Sequence, residues 1–258
     1  MSIPRIAYVV TTWYGHKLIE TIQSLPKGER LLVIDTSVNG WCLAKAWNYG
    51  LRKLTIDEGY DVAIVLNDDV VLKPETGQDL ADALLVRQWV DERPDKDREV
   101  LLLSGYNISH HGVPPSSPPT KAAKDLDEFK VRWGTGPDYS CWAATRKLLD
   151  VIGPFDESFV PAWFEDNDSH YRIFGSGFQA LSYAPYFHYA SQTVNGGGPI
   201  SEARKSETQV MFDANKAYYV KKWGGLPGRE TYTVPFGANK TSVQPGALWQ
   251  PSPTSVVA

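Results

Sequence analysis

Val62-Ala63-Ile64-Val65-Leu66-Asn67-Asp68-Asp69-Val70-Val71 runs from unbroken apolar residues straight into an amide and two carboxylates. A short apolar run without polar alternation reads as a strand covered on both faces. Two similar runs precede it, Ile6 to Val10 and Leu31 to Ile34, and another follows from Val100 to Leu103. Between them lie segments with helical spacing: Leu18 to Leu25, stopped by Pro26; Leu43 to Leu54; and Gln78 to Trp89, which runs into the charged stretch Asp91 to Arg98. Alternation of this kind builds a mostly parallel central sheet, with right-handed crossovers and helices on its flanks. The expected class is α/β and Rossmann-like. Ligands of such sheets bind at the carboxyl ends of the strands, which is where Thr11, Asp35 and Asn67-Asp68-Asp69 fall.

After residue 104 the pattern changes. Pro114 to Pro119 reads as a Pro/Ser loop. Tyr139 to Ala144 is strand-like, a short helix ends near Ile152, and Gly153-Pro154 makes a turn. A helix is expected from about Asp166 to Phe174, then a strand from Phe178 to Tyr183. A long helix follows from Ser201 to Trp223, closed by Gly224-Gly225. The remainder, rich in Pro, Gly, Ser and Thr, reads as an extended tail.

Composition narrows the function. The 258 residues are 42% apolar and 22% charged, ordinary for a globular protein. With 26 Lys and Arg against 30 Asp and Glu, the net charge of −4 disfavours generic binding of nucleic-acid phosphates. Cys42 and Cys141 fit no metal spacing and no disulfide framework, and read as reduced thiols of a cytoplasmic protein. The first apolar run is too brief for a signal peptide, and no stretch approaches the length of a membrane span. Nine tryptophans and thirteen tyrosines are an unusual number; much of that is core, but aromatic walls also suit the flat faces of sugars and nucleobases.

Three constellations carry candidate chemistry. Asn67-Asp68-Asp69 puts carboxylates at the end of a buried strand, where a divalent cation with phosphates would compensate their charge. The same residues also cap turns, and the motif alone leaves both readings open. Trp163-Phe164-Glu165-Asp166-Asn167-Asp168 opens a helix, where the dipole and free N–H groups already favour acids. Within it Glu165 and Asp168 share a face, with Arg172 as the ion-pair partner of Asp168. Asp166 points elsewhere, and the aromatic wall of Trp163 and Phe164 would raise its basicity by desolvation. The third is Tyr186-Phe187-His188-Tyr189. A lone histidine among aromatics is more often a packed core residue than a ligand.

Together, in this order, these segments resemble a family 2 glycosyltransferase with the GT-A fold. Val33-Ile34-Asp35-Thr36-Ser37 followed by Ala46-Trp47-Asn48-Tyr49-Gly50 resembles the family's second strand and next helix. Val65 to Val71 is similar to its Asp-x-Asp-type metal motif, with Asn67 at the first position. Gly153-Pro154-Phe155-Asp156-Glu157-Ser158-Phe159, then Phe164 to Asp168 and Arg172, looks like its acceptor and catalytic region. Tyr218 to Gly225 resembles a recurrent closing segment.

The resemblance implies one GT-A domain over residues 1–225, with a nucleotide-sugar half at about 1–104, an acceptor half at about 105–225, and a tail at 226–258. It implies Asp69 and His188 as ligands of Mn2+ or Mg2+, and Asp166 as the base of an inverting reaction. Thr11, Asp35, Asn67, Asp68, Trp163 and Glu165 would meet the nucleotide sugar, with Asp35 reading a pyrimidine base. UDP-sugar is the first expected donor and dTDP-sugar the second. The acceptor would be a glycan, a protein or a modified DNA base, and a virus-encoded enzyme of the host cytoplasm fits the chain's size. A metal-dependent nucleotidyltransferase is the rival enzyme, but Thr12-Trp13-Tyr14-Gly15-His16 makes a poor phosphate cradle. A carbohydrate-binding module on a decayed scaffold is the non-enzyme rival, and Asp69, Asp166 and His188 together argue against decay.

Overall fold

A computed structural model describes residues 3–13, 15, 17–85, 93–111, 119–189 and 202–237. Most of the expected Pro/Ser loop, the end of the helix expected to reach Trp89, Tyr14, His16, Ser201 and the tail after Gly237 lie outside the described residues.

The strands are β1 (Ile6–Thr12), β2 (Arg30–Asp35), β3 (Val62–Asn67), β4 (Val70–Leu72), β5 (Val100–Asn107), β6 (Cys141–Ala144) and β7 (Gln179–His188). They form one seven-stranded sheet in the order β2-β1-β3-β6-β5-β7-β4. β1 pairs in parallel with β2 and β3, and β5 in parallel with β7. β6 runs antiparallel between β3 and β5, and β4 runs antiparallel to β7. All but β4 and β6 therefore point one way, and the α/β expectation of a mostly parallel sheet holds. The sheet interleaves both halves of the chain, because β6 is inserted beside β3.

The helices are α1 (Leu18–Ser24), α2 (Thr36–Asn39), α3 (Leu43–Arg52), α4 (Thr76–Leu85), α5 (Pro119–Leu126), α6 (Arg146–Ile152), α7 (Glu165–Gly175) and α8 (Glu202–Trp223). α3 continues into a wider π turn over Lys53–Asp57. Strand residues alternate between two cores, as a doubly covered sheet requires. Ala7, Val9, Ala63 and Val65 pack with Trp47 and Trp142 on one face. Ile6, Tyr8, Val10, Ile64 and Leu66 pack with Leu80 and Ala81 on the other. Gly77 lets α4 approach that face, since a side-chain carbon there would lie 2.0 Å from the Tyr8 hydroxyl.

Two motifs of the sequence meet through Asn48 on α3. Its carboxamide donates to Phe155 O at 2.9 Å and accepts from Phe155 N at 2.7 Å, tying the Ala46–Gly50 segment to Gly153–Phe159. The described part of the tail folds back on the domain. Thr231 N and Tyr232 N both donate to Trp223 O at 3.0 Å, and Tyr219 donates to Glu230 at 2.6 Å. Among the described residues no helix is long and apolar enough to cross a membrane.

Candidate active site

At the carboxyl ends of β1 and β3 a cleft of about 330 Å³ opens. Its floor is Thr11, Thr12, Asn67, Asp68 and Asp69. One wall is the turn from Thr36 through Trp41 to Leu43, and the other is the segment Val160 to Trp163. Of the residues singled out in the sequence, Thr11, Asn67, Asp68, Asp69 and Trp163 thus come together. Asp35, Glu165, Asp166 and His188 are not part of this lining: Asp35 precedes Thr36 in the chain, Glu165 and Asp166 follow Trp163, and His188 lies against Asp69. The two lining carboxylates have no Lys or Arg beside them on the cleft wall among the described residues.

Strand pairing brings His188 to Asp69. β4 is only three residues long and turns back from β3 through Asp68 and Asp69. Val70 sits opposite His188, and Tyr189 N donates to Asp69 O at 2.9 Å. Thr21 holds β4 in place, donating to Val70 O at 2.9 Å and accepting from Val70 N at 3.2 Å. His188 Nε2 lies 3.0 Å from Asp69 Oδ1, with both residues buried. Burial works against a charged imidazole, but the hydrogen bond and charge of Asp69 outweigh it and hold His188 above its ordinary value.

Asp68 accepts from Thr12 Oγ1 at 2.5 Å, and the same hydroxyl accepts from Gly15 N at 2.9 Å. Burial, aided by the Asp69 charge, pushes Asp68 up to about 6 despite the Thr12 bond. Thr11 is tied to the strand itself, donating to Leu66 O at 3.2 Å. Asp35 caps α2, with Oδ1 accepting from Ser37 N at 2.9 Å and from Ser37 Oγ at 2.6 Å. Its neighbours Thr36 and Ser37 reach the cleft wall.

The acids that open α7 divide as their spacing predicts. Asp168 is fully buried and accepts from Arg172 Nε at 2.9 Å, Lys222 Nζ at 2.6 Å and Trp223 Nε1 at 2.8 Å. Glu165 is buried as well, and among the described residues its Oε2 has no hydrogen-bond partner. Burial and then the Asp166 charge raise it well above the usual carboxylate range. Asp166 stays partly exposed and bonds locally, accepting from Asn167 N at 2.7 Å and Asn167 Nδ2 at 2.8 Å. Burial raises its proton affinity against those bonds. Trp163 and Phe164 precede the helix at φ 78° and 73°, a left-handed corner that side chains with a Cβ adopt only under constraint.

Sequence reasoning passed over several residues here. Thr12 supports Asp68, and Asn107 Oδ1 accepts from His188 N at 3.2 Å. Asp138, held by Ser104 Oγ through its amide at 2.8 Å, acts electrostatically on both His188 and Asp166. None of the three stands in a run that its own neighbours would flag. Among the described residues no three His, Cys, Asp or Glu side chains form a ready-made metal cage.

No protein-family model matches the chain, and no curated protein matches it either. Solved structures do. The mannosyltransferase PcManGT from Pyrobaculum calidifontis, in complex with GDP-Man and Mn2+, is 15% identical over 88% of this chain and 67% of its own, with a TM-score of 0.49. Glucosyl-3-phosphoglycerate synthase from Mycobacterium tuberculosis, in complex with Mn2+, UDP-Glc and phosphoglyceric acid, is 13% identical over 84% of this chain and 79% of its own, with a TM-score of 0.43. A197 from STIV is 15% identical over 70% and 82%, with a TM-score of 0.40. Similarity this distant assigns no chemistry.

Proposed function

We propose that this chain is an inverting GT-A glycosyltransferase that moves a sugar from a nucleoside diphosphate to an acceptor hydroxyl, with UDP-sugar as first donor and dTDP-sugar as second. One observation carries the reading. A cleft at the strand ends has two buried carboxylates in its floor, a histidine 3.0 Å behind one of them, and a wall that leads directly into the partly exposed Asp166. The order of motifs along the chain supports the same class.

The donor set fits a divalent cation. Asp69 supplies a hard oxygen, His188 a ring nitrogen, and Asp68 adds a buried charge that, among the described residues, no Lys or Arg of the lining offsets. Asp69 and His188 would hold Mn2+ or Mg2+, which when bound neutralises the charge gathering on a departing diphosphate. Thr11 and Asp35 then take the nucleoside, Asn67 and Asp68 the ribose and sugar hydroxyls, and Trp163 one flat face of the sugar. Asp166, its basicity raised by burial, removes the acceptor proton as the hydroxyl attacks the anomeric carbon opposite the leaving diphosphate. A single displacement inverts the configuration.

Calorimetric titration of UDP, dTDP and GDP, with and without Mn2+, tests the binding half of this reading. Pyrimidine diphosphates should bind best, and only with the metal, and Asp69→Ala should lose at least about tenfold in affinity. Tight metal-free binding, or undiminished binding by Asp69→Ala, would remove the donor site from this cleft.

A further inference from the structure

The segment Val160 to Trp163 forms a cleft wall without belonging to any strand or helix, so its backbone groups need partners from elsewhere. One side chain supplies most of them. Asn215 is buried on α8, and its Oδ1 accepts from Val160 N at 3.3 Å. Its Nδ2 donates to Ala162 O at 2.7 Å and Val160 O at 3.1 Å, with Trp163 O at the margin, 3.5 Å away. One turn to either side, the same face of α8 is apolar. The Phe212 ring lies 5.9 Å from that of Trp163 and 5.3 Å from that of Phe164, and the Tyr219 ring lies 5.6 Å from that of Phe164. An amide in the middle of an apolar stripe costs desolvation unless its hydrogen bonds are made, and here every one goes to this wall. Across the cleft, Leu43 N at the start of α3 donates to Pro161 O at 2.8 Å, so the two walls are joined at one point.

We propose that Asn215 is a positioning residue. Its carboxamide fixes the Val160–Trp163 wall and, through the left-handed corner at Trp163 and Phe164, sets where Asp166 stands. The consequence for catalysis rests on the function proposed above, whereas the consequence for the backbone does not. Asn215 touches no reacting atom. It acts by holding a wall that would otherwise shift, and a displacement of about 1 Å at a reacting group can cost about a hundredfold in rate.

The test compares Asn215→Ala and Asn215→Asp with the wild-type chain by amide hydrogen exchange, thermal unfolding and steady-state sugar transfer. Asp keeps an acceptor for Val160 N but loses both donors, so it isolates the donating half of the clamp. Where the Ala variant fails to fold, Asn215→Ser serves, since its hydroxyl reaches one carbonyl at most. Exchange should quicken at least about tenfold at Leu43 and across Phe164 to Asp168, while the strand amides of β1 and β3 stay protected. Turnover should fall about ten- to a hundredfold, with KM for the donor changing less than kcat. A merely structural role would lower the melting temperature and loosen strands and loop alike, and that pattern overturns the proposal. So does unchanged exchange at Leu43, or wild-type turnover by Asn215→Asp. A wild-type chain that transfers no sugar would sink the proposed function, and the exchange pattern would still decide the role of Asn215.

Discussion

Replacing Asp168 by Asn removes one charge from a fully enclosed ionic group. Asp168 is fully buried and accepts from Arg172, Lys222 and Trp223 at 2.9, 2.6 and 2.8 Å, joining α7 to the end of α8. Breaking a buried ion pair from one side costs about 3–5 kcal/mol, because the remaining charge loses its partner. Two contacts soften the loss: Lys222 keeps Asp156 at 2.7 Å, and Arg172 keeps Ile152 O. The expected destabilisation is therefore at the lower end, about 3 kcal/mol. For a chain of this size, that lowers the melting temperature by roughly 6–12 °C. Urea unfolding followed by tryptophan fluorescence gives the free energy, and a thermal scan gives the shift. Asp166→Asn is the comparison, since the Asp166 bonds are local to Asn167, and it should stay within about 1 kcal/mol of the wild type. Equal stability of the two variants would refute the division of labour between these acids.

Two more expectations are independent of that one. Burial alone would raise Asp156, but the Lys222 ammonium, 2.7 Å away, holds its carboxyl at about 2. A depressed carboxyl adds stability that is present above its ordinary value near 3.8 and is lost as pH falls towards 2, about 2 kcal/mol in all. Urea midpoints measured between pH 5 and pH 2 should fall less steeply in Asp156→Asn, and parallel slopes would contradict the pairing. Asp35→Ala should erase the preference for UDP over GDP and cost about 1 kcal/mol through the lost cap of α2. Asp35→Ser keeps the cap without the carboxylate, so a pyrimidine preference retained in the Ser variant would show that Asp35 does not read the base.

The strands were legible because burial on both faces leaves an unbroken apolar run, as in Val62 to Leu66, whose observed strand ends one residue later at Asn67. The ends of elements were less so. β7 runs on to His188, five residues past the expected end at Tyr183, because its partners β5 and β4 continue alongside it. Tyr186-Phe187-His188 therefore belongs to a strand rather than to a loop after one. β4, at three residues, is too short to show any period, yet its pairing is what sets Asp69 beside His188. The split between Asp166 and the buried Glu165 and Asp168 could be read from helical spacing alone. Asn215 could not, because its partners are backbone groups more than fifty positions away. Thr12, Asn107 and Asp138 escaped for the same reason: their roles arise from strand order, which local patterns do not encode.

The most direct test of the central claim needs no acceptor. Many transferases spend their donor slowly on water, and proton NMR can follow which anomer of the sugar appears first. Wild-type protein given an α-linked UDP-sugar should release the β-anomer before mutarotation, only when Mn2+ or Mg2+ is present. The rate should fall about 10²–10⁴-fold in Asp166→Asn. Release of the α-anomer first, or an undiminished rate in Asp166→Asn, would contradict the inverting mechanism and take Asp166 out of it.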